Sequence, residues 1–245
     1  MDKIYKHNNI TLIKGDCMEV MTGIRDKRYE LAIVDPPYGI GASEGYARSL
    51  RNNPNITPKV WDCSGIPPME YFDNLFKVSK EQIIWGGNYF PLPTTRCFLI
   101  WDKQNAGRDF ADCEMAWTSF DAVARIFQYR VSKDYKQRIH PTQKPIALYK
   151  WLLKNYAKEG DKILDTHLGS GSSAIACYDM GFEFIGIELD EDYFKSAVKR
   201  FDNHIKQQVL FTPKEIYRQP ECVKQKHGDQ PLCLECHEIV EENAS

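Results

Sequence analysis

The sequence predicts an α/β fold: a mostly parallel sheet with helices on both faces. Three observations predict it. Short apolar runs alternate with segments of helical periodicity along most of the chain, the pattern of strand–helix–strand units. "LAIV" (31–34) is apolar at every position, as a strand covered on both faces must be. A glycine-rich turn, Gly169-Ser170-Gly171-Ser172, joins a strand pattern to a helix pattern, as in parallel sheets that bind nucleotide-like ligands.

The elements follow in chain order. "ITLIKGD" (10–16) reads as a strand ending in a Gly-Asp turn, and "CMEVMTGI" (17–24) as a short helix. After "LAIV", residues 42–68 are polar and proline-containing, a long loop of the kind that usually carries function. "MEYFDNLFKVS" (69–79) fits a helix, and "EQIIWGGNYF" (81–90) a strand meeting a Gly-Gly turn. "RCFLIWDK" (96–103) and "EMAWTSF" (114–120) read as strands, and "VARIFQYRV" (123–131) alternates in part. "PIALYKWLLKNYAK" (145–158) is an amphipathic helix with proline in its first turn. "DKILD" (161–165) is a strand, the glycine turn opens a helix, and "FEFIGIELD" (182–190) is a strand. "EDYFKSAVKRFDNHI" closes as a helix with Tyr193, Phe194, Ala197, Val198, Phe201 and Ile205 on one side. Residues 1–211 read as one domain and 212–245 as a polar tail.

At 245 residues the chain can bury a sizeable core. No apolar run approaches the length of a membrane span, and "MDKIYKHNNI" has no signal-peptide core, so we expect a soluble, cytoplasmic protein. The net charge of −2 gives no global push toward nucleic acid, and charge has to be read locally. From Val123 to Lys154, Arg125, Arg130, Lys133, Lys136, Arg138, Lys144, Lys150 and Lys154 stand against one acid, Asp134. Tyr129 and Tyr135 interleave. Such a stripe is either a phosphate footprint or a solvated basic face, and Arg130, Lys133, Lys136 and Arg138 are its candidate DNA contacts. Arg48 and Arg51 in the long loop form a second candidate. Cys17, Cys63, Cys97, Cys113 and Cys177 read mostly as buried free thiols. Cys222, Cys233, Cys236, His227 and His237 could hold zinc but include a single C-x-x-C. We prefer a flexible acidic tail there and assign no metal.

Two motifs carry chemistry. In Asp35-Pro36-Pro37-Tyr38 the prolines fix φ and remove N–H donors. What remains is a rigid turn offering acceptors, the Asp35 carboxylate and the Pro36 carbonyl, with the Tyr38 ring beside them. It suits a planar ligand bearing N–H groups; a proline-stiffened strand end is the plain alternative. Gly169 to Ala174 satisfies G-x-G-x-x-G/A, and Glu188 ends the next strand, near the spacing at which an acid takes ribose hydroxyls. NAD and S-adenosylmethionine both fit. Asp165, four residues before Gly169, suits an ammonium and a sulfonium better than a pyrophosphate.

Together these segments resemble the DNA amino-methyltransferases, which use S-adenosylmethionine to methylate exocyclic nitrogens. The acceptor motif is Asp35-Pro36-Pro37-Tyr38, and Asp165 to Ser172 is similar to the cofactor loop. "HPTQKP" (140–145), "KGDCMEVM" (14–21) and "IGIELDEDY" (185–193) also match. The acceptor motif comes first, which resembles the permuted β class of the Rossmann-like methyltransferase fold. The resemblance implies catalytic roles for Asp35, Pro36, Pro37 and Tyr38, with the tyrosine stacking on a base flipped out of double-stranded DNA. It implies cofactor binding by Asp16, Lys144, Asp165, Gly169, Ser170, Gly171 and Glu188, and a short recognition segment at about 118–139. Thr166 and His167 depart from the usual Pro-Phe. Asp35 at the first motif position leans toward adenine N6 over cytosine N4; an N4-cytosine or RNA target is the alternative, and an NAD-dependent oxidoreductase a more distant one. C5-cytosine chemistry is disfavoured because no cysteine follows a proline. A homodimer and a restriction endonuclease partner are left open.

Overall fold

A strand that is apolar on both faces needs neighbours on both edges and helices on both sides, and β3 (Tyr29–Val34) has them at the middle of the sheet. The computed structural model describes residues 3–24, 26–41, 65–106, 111–130, 138–140 and 142–210. Along the chain these form β1 (Ile4–His7), β2 (Ile10–Lys14), α1 (Cys17–Thr22), β3, α2 (Met69–Val78), β4 (Ser79–Trp85), a 3-10 turn (Gly87–Tyr89), β5 (Phe98–Asp102), β6 (Cys113–Thr118) and β7 (Arg125–Gln128). Then come α3 (Ile146–Tyr156), β8 (Lys162–Asp165), α4 (Ser172–Met180), β9 (Glu183–Glu188) and α5 (Glu191–Leu210).

Among the described residues the sheet runs β1-β2-β9-β8-β3-β4-β6-β5-β7. Strands β2, β9, β8, β3 and β4 are mutually parallel, and β6 enters antiparallel between β4 and β5. The α/β class with a mostly parallel sheet is therefore present. So is the permuted order, because the strand–glycine turn–helix unit β8-α4-β9 comes last in the chain yet lies beside β3.

This adjacency positions the site. From β3 the chain moves through α2 to β4 on one side; from β8 it moves through α4 to β9 on the other. The crevice beyond the carboxyl ends of β3 and β8 is where the winding reverses, the usual ligand position in such sheets. Leu31 pairs with Ile163 and Ala32 with Leu164, so Asp35 and Asp165 emerge at the same end.

Successive strand residues face opposite sides. Ala32, Val34, Ile84, Leu164 and Ile187 meet Tyr71, Phe72 and Leu75 of α2 and Met21 of α1 in one apolar cluster. Helix α3 packs on α4 and α4 on β9, while Tyr5 and Tyr178 meet the Phe201 ring edge-on.

Three expectations need adjusting. Strand β1 was not foreseen: "IYKH" is short, alternates partly exposed residues, and owes its existence to antiparallel pairing with β2. The partly alternating run at 123–131 contributes a strand, with the pairing covering Arg125–Gln128, where β7 adds an edge beside β5. Buried thiols hold for Cys97 and Cys177, whereas Cys17 is half-buried and Cys113 exposed. Cys63 and the tail cysteines and histidines lie outside the described residues, as does the proposed tail itself. Among the described residues no helix is long and apolar enough to cross a membrane.

Gly87 stands where a Cβ would come within 2.3 Å of the Trp117 Cβ and 2.8 Å of its backbone nitrogen. Neither atom can yield. Gly87→Ala should cost about 1–3 kcal/mol by overpacking, read as a lower urea midpoint. At Gly23, with ordinary φ and nothing nearer than 3.7 Å, alanine should leave the midpoint unchanged or raise it.

Candidate active site

The crevice holds a cavity of about 650 Å³, within the range of small-molecule and cofactor sites. Both halves of the chain line it: Asp16, Asp35 and Pro37 from the first, His140, Gly169 and Glu188 from the second. A short strap, Gly65 to Pro68, closes one wall.

At the end of β3 the Asp35 carboxylate is held from two sides. The Tyr38 hydroxyl donates to Oδ1 at 2.6 Å, and the Lys144 ammonium lies 2.5 Å from Oδ2. Lys144, from "HPTQKP", is 3 % exposed. It also reaches Glu114 of β6 at 3.0 Å, and Glu114 meets Lys103 at 2.7 Å. The result is a ladder of alternating charge, Lys103, Glu114, Lys144, Asp35, with both lysines buried and both carboxylates partly buried. Burial opposes the charge on Glu114, but Lys144 and Lys103 outweigh it and hold its carboxyl down at about 2. Asp35 shares a single ammonium. Burial pushes it above the usual carboxylate range, Lys144 pulls it back, and the negative Glu114 pushes it up again. Lys144 loses solvation too, yet its two carboxylates raise it above an ordinary lysine. Glu114 thus keeps its charge firmly, and Asp35 is the member that takes a proton first.

Tyr38 differs from expectation in its surroundings. Its ring stacks on Tyr89 (centroids 5.3 Å apart, planes at 18°) and lies so close to Gly86 that any Cβ there would overlap it. The partner ring, Tyr89, is 44 % exposed and extends the aromatic surface of Tyr38 toward solvent.

The cofactor-loop residues gather at the end of β8. Gly169 and Gly171 have φ of +52° and +73°, left-handed values that favour glycine. Glu188 accepts from the Gly169 amide at 2.8 Å through one oxygen and from the Asp190 amide at 2.9 Å through the other. Both oxygens keep lone pairs toward the cavity. Arg200 of α5 braces the turn, donating to the Ser170 carbonyl and to the Ser172 hydroxyl at 2.9 Å each. Asp16 caps α1, accepting from the Met18 amide at 2.8 Å, and also lines the cavity.

Asp165 turns inward. It accepts from the Ser173 hydroxyl at 2.6 Å and the His167 amide at 3.0 Å, and the cavity wall begins at Thr166 instead. Its direct neighbours are the turn it stabilises. His167 sits edge-on to Tyr71, where a phenyl ring would also pack, and burial lowers it to about 4. Thr166 accounts for its own place by sharing a hydrogen bond with the Tyr71 hydroxyl at 2.7 Å.

Among the described residues the basic stripe does not form one exposed face. Arg125 and Arg130 are exposed. Arg138 is 8 % exposed, and Lys144 is buried in the ladder. Lys150 pairs with Asp179 at 2.6 Å. Lys133, Lys136, Arg48 and Arg51 lie outside the described residues. Sequence reading passed over Glu114, Lys103 and Tyr89. An acid and a lysine bracketing two apolar strands were visible as anomalies; nothing local marked Tyr89.

A family model described as a DNA methylase matches residues 59–199. The chain is 43 % identical to the type II methyltransferase M2.DpnII of Streptococcus pneumoniae, covering 81 % of this chain and 91 % of that protein. Among solved structures it is similar in fold to M1.HpyAVI in complex with SAM, at 20 % identity and a TM-score of 0.52, covering 79 % of this chain and 99 % of that one. It is likewise similar to the cytosine-N4-specific PvuII DNA methyltransferase, at 10 % identity and 0.53, covering 84 % and 94 %.

Burial raises Asp165 from its ordinary 3.8 to about 7 despite the Ser173 and His167 donors. A carboxyl raised in the folded state binds its proton more tightly there than when unfolded. Its contribution to stability is therefore full below about pH 4 and is lost as pH rises through about 7. Between those limits it contributes a fall of up to about 1.4 kcal/mol per pH unit. Asp165→Asn should remove that slope from urea-unfolding curves taken between pH 5 and 7.

Proposed function

This chain belongs to the DNA methylase family, the N6/N4 amino-methyltransferases of DNA, and we propose that it is an adenine N6-methyltransferase using S-adenosylmethionine. The observation that carries the reading is the placement of Asp35, at the end of β3, on the wall of the cavity that the glycine turn also lines. Acceptor and cofactor chemistry share one crevice.

The residues present fit the cofactor. Glu188 and Asp16 offer carboxylate oxygens for hydroxyl and amino groups at one end. The Gly169–Ser172 turn, free of Cβ atoms at its two glycines, allows close approach to the backbone. When bound, the cofactor supplies an activated methyl group on sulfur. An NAD-type pyrophosphate would instead meet a site whose cavity walls carry Asp16, Asp35, Glu188 and Asp190.

The exocyclic amine of a base is a poor nucleophile because its lone pair is delocalised into the ring. Asp35 accepts one N–H and the Pro36 carbonyl the other, which favours a pyramidal nitrogen with its lone pair directed at the methyl group. That is stabilisation of the transition state by fixed acceptors. Pro36 and Pro37 keep them fixed, since near-attack geometry tolerates little slack. Oδ1 and Oδ2 already receive Tyr38 and Lys144, and each carboxylate oxygen has a second lone pair for the incoming N–H. Tyr38 and Tyr89 provide the aromatic surface that receives the flipped base. Aspartate at the first motif position supports adenine. Double-stranded DNA is the substrate in this reading, contacted by Arg125 and Arg130 and by the loop around Arg48 and Arg51, and the enzyme acts in the cytoplasm where that DNA lies.

Methylating amplified, unmodified genomic DNA and digesting it to nucleosides should yield N6-methyladenine by mass spectrometry; N4-methylcytosine in its place would overturn the adenine assignment. Asp35→Ala should abolish transfer while S-adenosylmethionine binding by calorimetry stays close to wild type. Loss of binding with turnover retained at saturation would contradict the role given to Asp35. Arg130→Ala should weaken all DNA sequences alike and flatten the plot of log affinity against log salt by about 0.9 if it meets one phosphate.

A further inference from the structure

The ladder Lys103–Glu114–Lys144–Asp35 is longer than the proposed reaction needs. Burying charge costs several kcal/mol per ion even after relaxation, and such pairs are weak contributors to stability. A neutral residue on β6 would pack at less cost. The ladder reaches Asp35 through Lys144, and Lys144 stands between two carboxylates at 2.5 and 3.0 Å. Its ammonium cannot serve both fully. Whatever draws it toward Glu114 loosens it from Asp35.

We propose that Glu114 is a positioning residue of the acceptor centre: by sharing Lys144 it keeps that ammonium from committing to Asp35, leaving the Asp35 carboxylate fixed but able to accept the N–H of the target amine. Lys103 is the counterweight. It takes part of the Glu114 charge at 2.7 Å and so sets how strongly Glu114 pulls on Lys144. Trp101 lies under Lys103 and Trp85 under Lys144, at 5.5 and 5.3 Å from the ring centres, which holds each ammonium in its place along the ladder. The inference rests on the reading of Asp35 as the acceptor.

The groups facing Asp35 are Lys144 from the "HPTQKP" segment before α3, Glu114 from β6, Tyr38 from its own turn, Tyr149 from α3, Asp165 from β8 and Tyr71 from α2. His140 faces Lys144 and is held neutral by burial, down to about 4. Among the described residues Lys144 and Glu114 are joined to Asp35 by ion pairs, with Lys103 beyond them, and changing Glu114 or Lys103 has opposite consequences. Glu114→Gln removes a negative charge that raises Asp35, and Lys144 collapses onto Asp35. Lys103→Gln strengthens the hold of Glu114 on Lys144 and withdraws it from Asp35.

The test is the pH profile of kcat for methyl transfer to amplified genomic DNA, whose acid limb reports protonation of the acceptor in the enzyme–substrate complex. Glu114→Gln should lower kcat by about ten- to a hundredfold with little change in the KM for S-adenosylmethionine, and should move the acid limb to lower pH. Lys103→Gln, at the outer end of the ladder, should move the limb to higher pH. Glu114→Asp, which keeps the charge, should restore the wild-type limb. Shifts of opposite sign cannot come from a packing defect. If the limb stays in place in both glutamine variants, or moves the same way in both, the proposal is wrong. Asp35→Asn separates the two readings: transfer retained there removes the acceptor role itself, whereas transfer lost there with unmoved limbs removes only the role of Glu114.

Discussion

The parallel pairing of β3 with β8 is the constraint on which the rest depends. Strand β3 comes early in the chain and β8 late, and the two share register through Leu31–Ile163 and Ala32–Leu164. That register sends both strands into the crevice together, one ending in the Asp-Pro-Pro-Tyr turn and the other in the glycine turn. A slip of one residue would turn every side chain of a strand to the opposite face. Val34 and Leu164, both buried to within 1 % exposure, pack in the cluster under α1 and α2 and resist such a slip. Site geometry is thus a consequence of core packing on one face of the sheet.

The two sides of the crevice are built on different principles. The cofactor side is held by hydrogen bonds in which each charged group meets a neutral partner: Glu188 on the amides of Gly169 and Asp190, Asp165 on Ser173 and the His167 amide, and the Arg200 guanidinium on Ser170 and Ser172. The Asp35 side instead rests on charge. Asp35 is fixed by an ammonium and a phenol, and its ammonium belongs to a ladder crossing from β5 to β6. The antiparallel β6, inserted beside β4, delivers Glu114 to this point. A sheet region that looks structural therefore reaches the Asp35 carboxylate through Lys144.

Much of this was legible in the sequence, for physical reasons. "LAIV" announces a central strand because only full burial tolerates four apolar residues in succession. The glycine turn announces itself because left-handed φ favours glycine. Asp35, Pro37, Glu188 and Asp16 were readable because motif chemistry is local. Long-range partners were not. Lys144 was read as facing the cofactor and does line the cavity, but its pairing with Glu114 depends on β6 standing next to β4, and no local pattern encodes that. Asp165 was read as facing a ligand; its inward turn follows from the position of Ser173 on α4. Among the described residues of the basic stripe, Lys144 and Arg138 are buried and Lys150 is paired, which a count of charges along the chain cannot distinguish. Strand β1 was missed because its four residues gain their order from β2, not from their own hydrophobicity.

The central claim is that both halves of the chain meet on one ligand. Amide hydrogen exchange with and without S-adenosylmethionine tests it most directly. Protection on binding should appear in both halves at once, at 15–18 and the amides of Asp35 and Tyr38 in the first and at 166–171 and 188–190 in the second, with NAD producing none. Protection confined to one half, or equal protection by NAD, would contradict it.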